Sequence, residues 1–242
     1  MIPSRKSRFF DALFSRHARG RIRRSFSSVR VRGLENVRAC SAEAPVLVVS
    51  NHTSWWDPLF AIYLCSRELH VDAHAMMDAK NLQRLPFFGL VGAFGVDLDD
   101  PADGARAIRY ASKLLDRPKR VVWIFAQGSE RPITERPLIF RGGTAEIARV
   151  ARASRVVPVG LRYELGGDER PAAWISFGPA LGYERDVVHA RDAQTTAVTA
   201  ELDRIDDAVC TADARGEFVH LHATRPPAIA VIAERALALL TR

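Results

Sequence analysis

Pro45-Val46-Leu47-Val48-Val49-Ser50-Asn51-His52-Thr53-Ser54-Trp55-Trp56-Asp57-Pro58 joins an unbroken apolar run to a turn and then to a helix start. A run of β-branched and leucine side chains without alternation is the pattern of a strand covered on both faces, as in a largely parallel sheet with helices on either side. Asp57 followed by Pro58 reads as an N-cap and first helical residue, opening an apolar helical segment through Leu59, Ile62, Tyr63 and Cys65. Residues five apart do not share one face of a helix. His52 therefore belongs in the turn and Asp57 at the helix start. A carboxylate so placed can hold one ring N–H and leave the other nitrogen free to take a proton. Taken alone, the pair is better read as an ordinary N-cap beside a satisfied loop histidine, since such a spacing arises often by chance; the company it keeps along the chain reverses that preference.

Outward from this stretch, strands and helices alternate. Val29 to Gly33 reads as a short edge strand and turn, 58–66 as helix, 69–76 as strand, 81–90 as a short helix and turn, and 94–98 as strand. Residues 103–115 read as helix, 120–125 as a buried strand, 144–153 as helix, 156–163 as strand, and 173–177 as the last strand. Residues 192–213 and 226–241 read as two C-terminal helices. The fold class expected is α/β: one domain with a mixed, largely parallel sheet flanked by helices.

With 242 residues and 48% hydrophobic side chains, the chain can bury a sizeable core and is not disordered. Cys40, Cys65 and Cys210 show neither a disulfide framework nor metal-ligand spacing, which fits a reducing compartment. No secretory leader is expected. The longest apolar run, Leu85 to Val96, falls short of the roughly 20 residues that span a bilayer. Residues 1–32 carry ten basic side chains against Asp11 alone, a net +9 where the whole chain is +7. The positive charge thus belongs to residues 1–28, a basic arm preceding the main domain at 29–242. Within the arm Phe10, Phe14, Ala18, Ile22 and Phe26 form an i+4 ladder with arginines on another side, and Gly20 breaks it into two short helices. The preferred reading is an amphipathic arm docked on anionic lipid at the cytoplasmic face of a membrane, peripheral or monotopic, without a span. The competing reading packs the ladder on the core. Nothing downstream resembles a nucleic-acid module, and no nucleic-acid partner is expected.

The order of short motifs resembles the glycerolipid (lysophospholipid) acyltransferase family over roughly residues 30 to 180. Asn51, His52 and Asp57 match its N-H-x4-D signature. Gly92-Ala93-Phe94-Gly95-Val96-Asp97-Leu98-Asp99 lies where its second block falls, and Phe125-Ala126-Gln127-Gly128-Ser129-Glu130-Arg131 where it has Phe-Pro-Glu-Gly-Thr-Arg-Ser. Phe140-Arg141-Gly142-Gly143 and the strand Val156-Val157-Pro158-Val159-Gly160 complete the series. The resemblance implies transfer of a fatty acyl group from acyl-CoA or acyl carrier protein to the hydroxyl of a lipid-like acceptor, as in phospholipid or glycolipid synthesis. His52 would be the base and Asp57 its orienting acid. No covalent intermediate is required, since the chain lacks a G-x-S-x-G elbow, and no cofactor or metal beyond the acyl donor is called for.

Gln127, Gly128, Ser129, Arg131, Arg141 and Gly142 are the candidate substrate-binding residues. Trp55, Trp56, Phe87 and Phe88 are candidates for an acyl channel, with core packing as the other account. The family's second- and third-motif arginines and its third-motif glutamate, which help hold a glycerol phosphate, are replaced here by Leu98, Glu130 and Gln127. An acceptor other than glycerol 3-phosphate or its lyso derivative is therefore expected. A lysophosphatidic acid acyltransferase and a non-catalytic lipid-binding relative are the alternatives. His70, Asp72 and His74 alternate as a strand face would, as do His220 and His222; a solvated face is preferred to a metal site for both.

Overall fold

A computed structural model describes residues 1–223. Eight strands form one mixed sheet in the order β4-β3-β5-β2-β6-β7-β1-β8. They are β1 (Ser28–Arg32), β2 (Val46–Ser50), β3 (Asp72–Asp78), β4 (Ala93–Val96), β5 (Arg120–Phe125), β6 (Arg155–Glu164), β7 (Ala172–Phe177) and β8 (Val219–Ala223). The four pairings from β4 to β6, and that of β7 with β1, are parallel; β6 with β7 and β1 with β8 run antiparallel. The expected α/β class and largely parallel sheet are thus observed.

β2 lies in the middle because all five of its side chains are apolar or small and can be covered on both sides. Val46 and Val48 face one apolar layer with Val121, Trp123, Val157 and Val159, while Leu47 and Val49 face the other with Val122, Ile124 and Ile147. Helices α1 (Arg8–Ser25), α2 (Leu34–Glu43) and α3 (Asp57–Tyr63) cover the first face; α6 (Pro101–Leu114), α7 (Gly143–Val150) and α8 (Val187–Cys210) cover the second. The short helices α4 (Ala79–Arg84) and α5 (Phe87–Leu90) link β3 to β4.

Several expectations are corrected. The N-terminal arm is one helix, because Gly20 sits in continuous helical hydrogen bonding rather than breaking it. Its ladder faces the protein: Ala18, Ile22 and Phe26 are fully buried, and Phe10 and Phe14 pack beside Phe88. Burying a Phe26-sized side chain contributes about 1.5–3 kcal/mol, which the core offers without a bilayer. β1 is not an edge, since β8 pairs outside it, and 173–177 is not the last strand. Helix α2 had no counterpart in the sequence reading. It begins directly after Gly33, whose φ of +74° and 2.0 Å approach of a would-be Cβ to the Phe177 carbonyl admit glycine alone. Helix 58–66 continues past α3 as a π-helical stretch, Leu64–Leu69, ended by His70 in the left-handed region. His70 therefore stands outside β3, and it does not share a strand face with Asp72 and His74. Among the described residues no His, Cys, Asp and Glu cluster is built to hold a metal. The helix expected at 226–241 lies outside the described residues.

Candidate active site

The loop after β2 is held on three sides. Asn51 clasps the backbone of β6: its amide donates to the Leu161 carbonyl at 2.9 Å and accepts from the Leu161 N–H at 2.8 Å. The side chain thus prolongs the β2–β6 ladder by one rung after the strand has ended. The His52 N–H donates to Gln127 Oε1 (2.8 Å), and the Arg131 N–H donates to the His52 carbonyl (2.9 Å). The imidazole stacks on Phe125, with ring centroids 4.5 Å apart. Backbone and ring are both fixed before any ligand arrives.

Asp57, fully buried, is the hub of the site. Its Oδ2 lies 2.7 Å from His52 Nδ1 and accepts from the N–H groups of Thr53 (2.7 Å) and Ser54 (3.0 Å). Its Oδ1 accepts from the Tyr163 hydroxyl at 2.6 Å. Four donors satisfy a carboxylate that would otherwise be costly to bury. Burial, followed by the adjacent Asp57 carboxylate, pushes the Tyr163 hydroxyl well above the usual phenol range, so it remains a donor. Asp57 is the first residue of α3, after Trp56 at the N-cap, and its carboxylate bonds no N–H of that helix; the expected N-cap at Asp57 is therefore not formed, and the side chain turns back to His52 instead. Its engagement of Nδ1 leaves Nε2 as the free ring nitrogen.

His52 is the ring at the mouth of a cavity of about 520 Å³, within the range of small-molecule sites. The cavity runs between α3 and the β3–β5 face and is lined chiefly by apolar side chains, among them Ile62, Ala75, Met76, Phe88 and Trp123. Of the channel candidates, Trp55 and Phe88 line it. Trp56 instead packs edge-on against Phe26 (5.0 Å), and Phe87 packs on Phe14 and Phe88. Arg21 holds its guanidinium over both Trp55 (5.9 Å) and Trp56 (5.6 Å).

The third-motif residues divide. Gly128 and Ser129 line the cavity beside His52, together with Glu130 and Leu98. Gly128 has φ +76°, and a Cβ there would meet Arg141 Nε at 2.7 Å, so Arg141 lies directly against this turn. Gln127 is buried and committed to the His52 backbone. Arg131 meets the site through its main chain, with its side chain exposed, and Gly142 caps α7. One residue, and the role of another, escaped the sequence reading. Tyr163 gave no signal, being 106 residues from Asp57; the role of Asn51 as a clasp on β6 depends equally on the sheet order.

A family-wide sequence description, Acyltransferase, matches residues 28–162, more than half of the chain. This chain belongs to the acyltransferase family. Among solved structures it is similar to the crystal structure of the 1-acyl-sn-glycerophosphate (LPA) acyltransferase PlsC from Thermotoga maritima. The TM-score is 0.59 at 13% identity, covering 81% of this chain and 79% of that one. That likeness speaks to the fold. No curated protein matches the chain. Within this acyltransferase, the matched residues include His52, Asp57 and the turn at Gly128.

Proposed function

We propose that this acyltransferase moves a fatty acyl group from an acyl thioester, acyl-CoA or acyl carrier protein, to the hydroxyl of a lipid-like acceptor, with His52 as general base. The observation that carries this reading is the Asp57-held imidazole at the mouth of a deep apolar cavity. Asp57 fixes Nδ1–H, so Nε2 takes the acceptor proton as the alcohol oxygen attacks the thioester carbon. The tetrahedral adduct then collapses with loss of the thiolate, and the imidazolium, stabilised by Asp57, returns the proton to the sulfur. The acyl tail occupies the cavity, where each buried methylene contributes about 0.8 kcal/mol.

The acceptor, on this reading, carries no phosphomonoester. Leu98 and Glu130 line the mouth where a cradle for phosphate would want cations, and Gln127 is already bonded to the His52 backbone. A glycolipid, glycosylated isoprenoid or amino-acid lipid fits these residues better. Arg84, which also lines the cavity, and the fold likeness to an LPA acyltransferase favour lysophosphatidic acid as the second reading.

Membrane contact falls to the outward side of α1. Phe9 is 81% and Leu13 54% exposed, Trp55 beside the cavity mouth is 51% exposed, and the helix is rich in arginine. Among the described residues no helix is long and apolar enough to cross a membrane.

Purified enzyme offered an acyl thioester with neutral lyso-glycolipid, lyso-amino-acid lipid and lysophosphatidic acid in parallel vesicles tests the reading. Acyl transfer to a neutral or zwitterionic acceptor, read by mass spectrometry, supports it. Preferential acylation of lysophosphatidic acid overturns the acceptor assignment, and no acyl transfer to any hydroxyl overturns the whole.

A further inference from the structure

The end of the cavity remote from His52 is closed by charge. Lys6 Nζ donates to the Ala73 carbonyl at 2.6 Å and pairs with Asp72 (3.1 Å) and Asp11 (3.3 Å). Asp72 is in turn held by Arg120 (3.1 Å) and Arg117 (3.3 Å). Lys6 and Asp11 line the cavity from inside, while Asp72 is 37% exposed on the outer side, so the cluster separates the apolar interior from solvent.

Sheet register gives the depth. Ala73 pairs with Val121 on β5, and Phe125, the ring on which His52 stacks, is four residues further along that strand. At roughly 3.3 Å per residue the plug lies about 13 Å below the Phe125 level. Lys6 is brought there by a segment that crosses outside β4 and α5. Ile2 exchanges backbone hydrogen bonds with Gly95, and the Arg5 and Ser7 N–H groups donate to Gly89 and Leu90.

We infer that Lys6, carried on this N-terminal strap, is the specificity-determining residue for acyl-chain length: its ion cluster is the floor against which the chain's methyl end stops. The inference rests on the acyl-pocket reading above. A methyl group cannot replace the carboxylates around a largely covered ammonium, and displacing Lys6 would strip the half-buried Asp11 and Asp72 of their shared cation. A chain that fills the cavity therefore gains nothing from further carbons. Each methylene left outside forfeits about fourfold in kcat/KM, the equivalent of about 0.8 kcal/mol.

Wild type, Lys6→Met, Lys6→Arg and Ala75→Leu, all full-length, would be assayed on saturated acyl-CoA in two-carbon steps with one acceptor. Ala75 lines the cavity two residues nearer His52 than Ala73. Lys6→Met, which keeps length and removes charge, should raise the relative kcat/KM of the chain two carbons beyond the wild-type optimum by about sixteenfold. Lys6→Arg should keep the wild-type cut-off, and Ala75→Leu should move it to shorter chains. A Lys6→Met profile identical to wild type, with Ala75→Leu shifted, overturns the role of Lys6. Identical profiles for all four place the chain outside the cavity and overturn it too. Absence of thiol release by the wild type from both acyl-CoA and acyl carrier protein donors, with each acceptor class named above, sinks the acyl-transfer reading itself and the inference with it.

Discussion

The Tyr163 hydroxyl and His52 Nδ1 engage the two oxygens of one buried carboxylate, at 2.6 Å and 2.7 Å from Asp57 Oδ1 and Oδ2. Strand β6 thereby reaches into the motif loop and sets the angle at which Asp57 faces the imidazole. Tyr163→Phe keeps the ring between Phe26 and Phe60 and removes only this donor. The carboxylate is freed to rotate, and a hydrogen bond to a charged group is worth about 1.5–3 kcal/mol. We expect kcat to fall roughly tenfold, or about 1.4 kcal/mol, with KM for the thioester little changed and the melting temperature lowered by only a few degrees, the variant remaining folded. Steady-state kinetics beside thermal melting check this.

Asn51 supplies both hydrogen bonds that the Leu161 backbone makes at this point of β6. Asn51→Ala leaves a buried N–H and C=O unpaired, at about 1–3 kcal/mol each. A stability loss of about 2–6 kcal/mol is expected in urea titration, with loss of activity beyond what unfolding explains. Asn51→Ala with wild-type stability would show that the amide is not a structural clasp.

Gly128 combines a left-handed backbone with the closeness of Arg141. Gly128→Ala should cost about 1–3 kcal/mol through strain and displace the Arg141 side chain. The expected kinetic mark is a raised KM for the acceptor, since the turn lies between His52 and Arg141. An unchanged KM in a folded variant would take this turn out of the acceptor site.

Burial, then the neighbouring Lys6 ammonium, pushes the His74 imidazole down to about 4, with Asp72 opposing and Arg120 reinforcing the shift. The unfolded chain, with an ordinary histidine near 6.5, therefore binds more protons than the native one between these values. His74 makes stability fall as pH drops from about 6.5 towards 4. Asp72, held below its ordinary value by Lys6 and Arg120 against the effect of burial, acts only below that window. Replacing His74 by Gln should flatten the pH dependence of the melting temperature between pH 6.5 and 4. An unaltered slope would contradict the assignment.

How much of this was legible depended on the range of the signal. β2 and β5 were readable because their apolar runs are local, and His52 and Asp57 because five residues separate them. α2 carries its own weak signal, with Leu34, Val37 and Ser41 buried on one side. Its Ala, Ser and Glu content without an apolar run hid it. β8 shows alternation at His220 and His222 but no buried face, having one neighbour and little cover. The N-terminal ladder satisfied the pattern for a membrane face and for a core face equally; periodicity reports that a face is apolar, not what covers it. Tyr163, Asn51 and Lys6 act across 106, 110 and 67 residues, distances at which only the sheet order assigns partners.

The account turns on proton removal by one imidazole, and acceptor-dependent thiol release by His52→Ala measures that directly. With folding confirmed by melting, the variant should lose 10²–10⁴-fold in kcat relative to wild type, roughly the contribution of general-base catalysis. A folded His52→Ala enzyme that releases thiol within a few fold of the wild-type rate would contradict it.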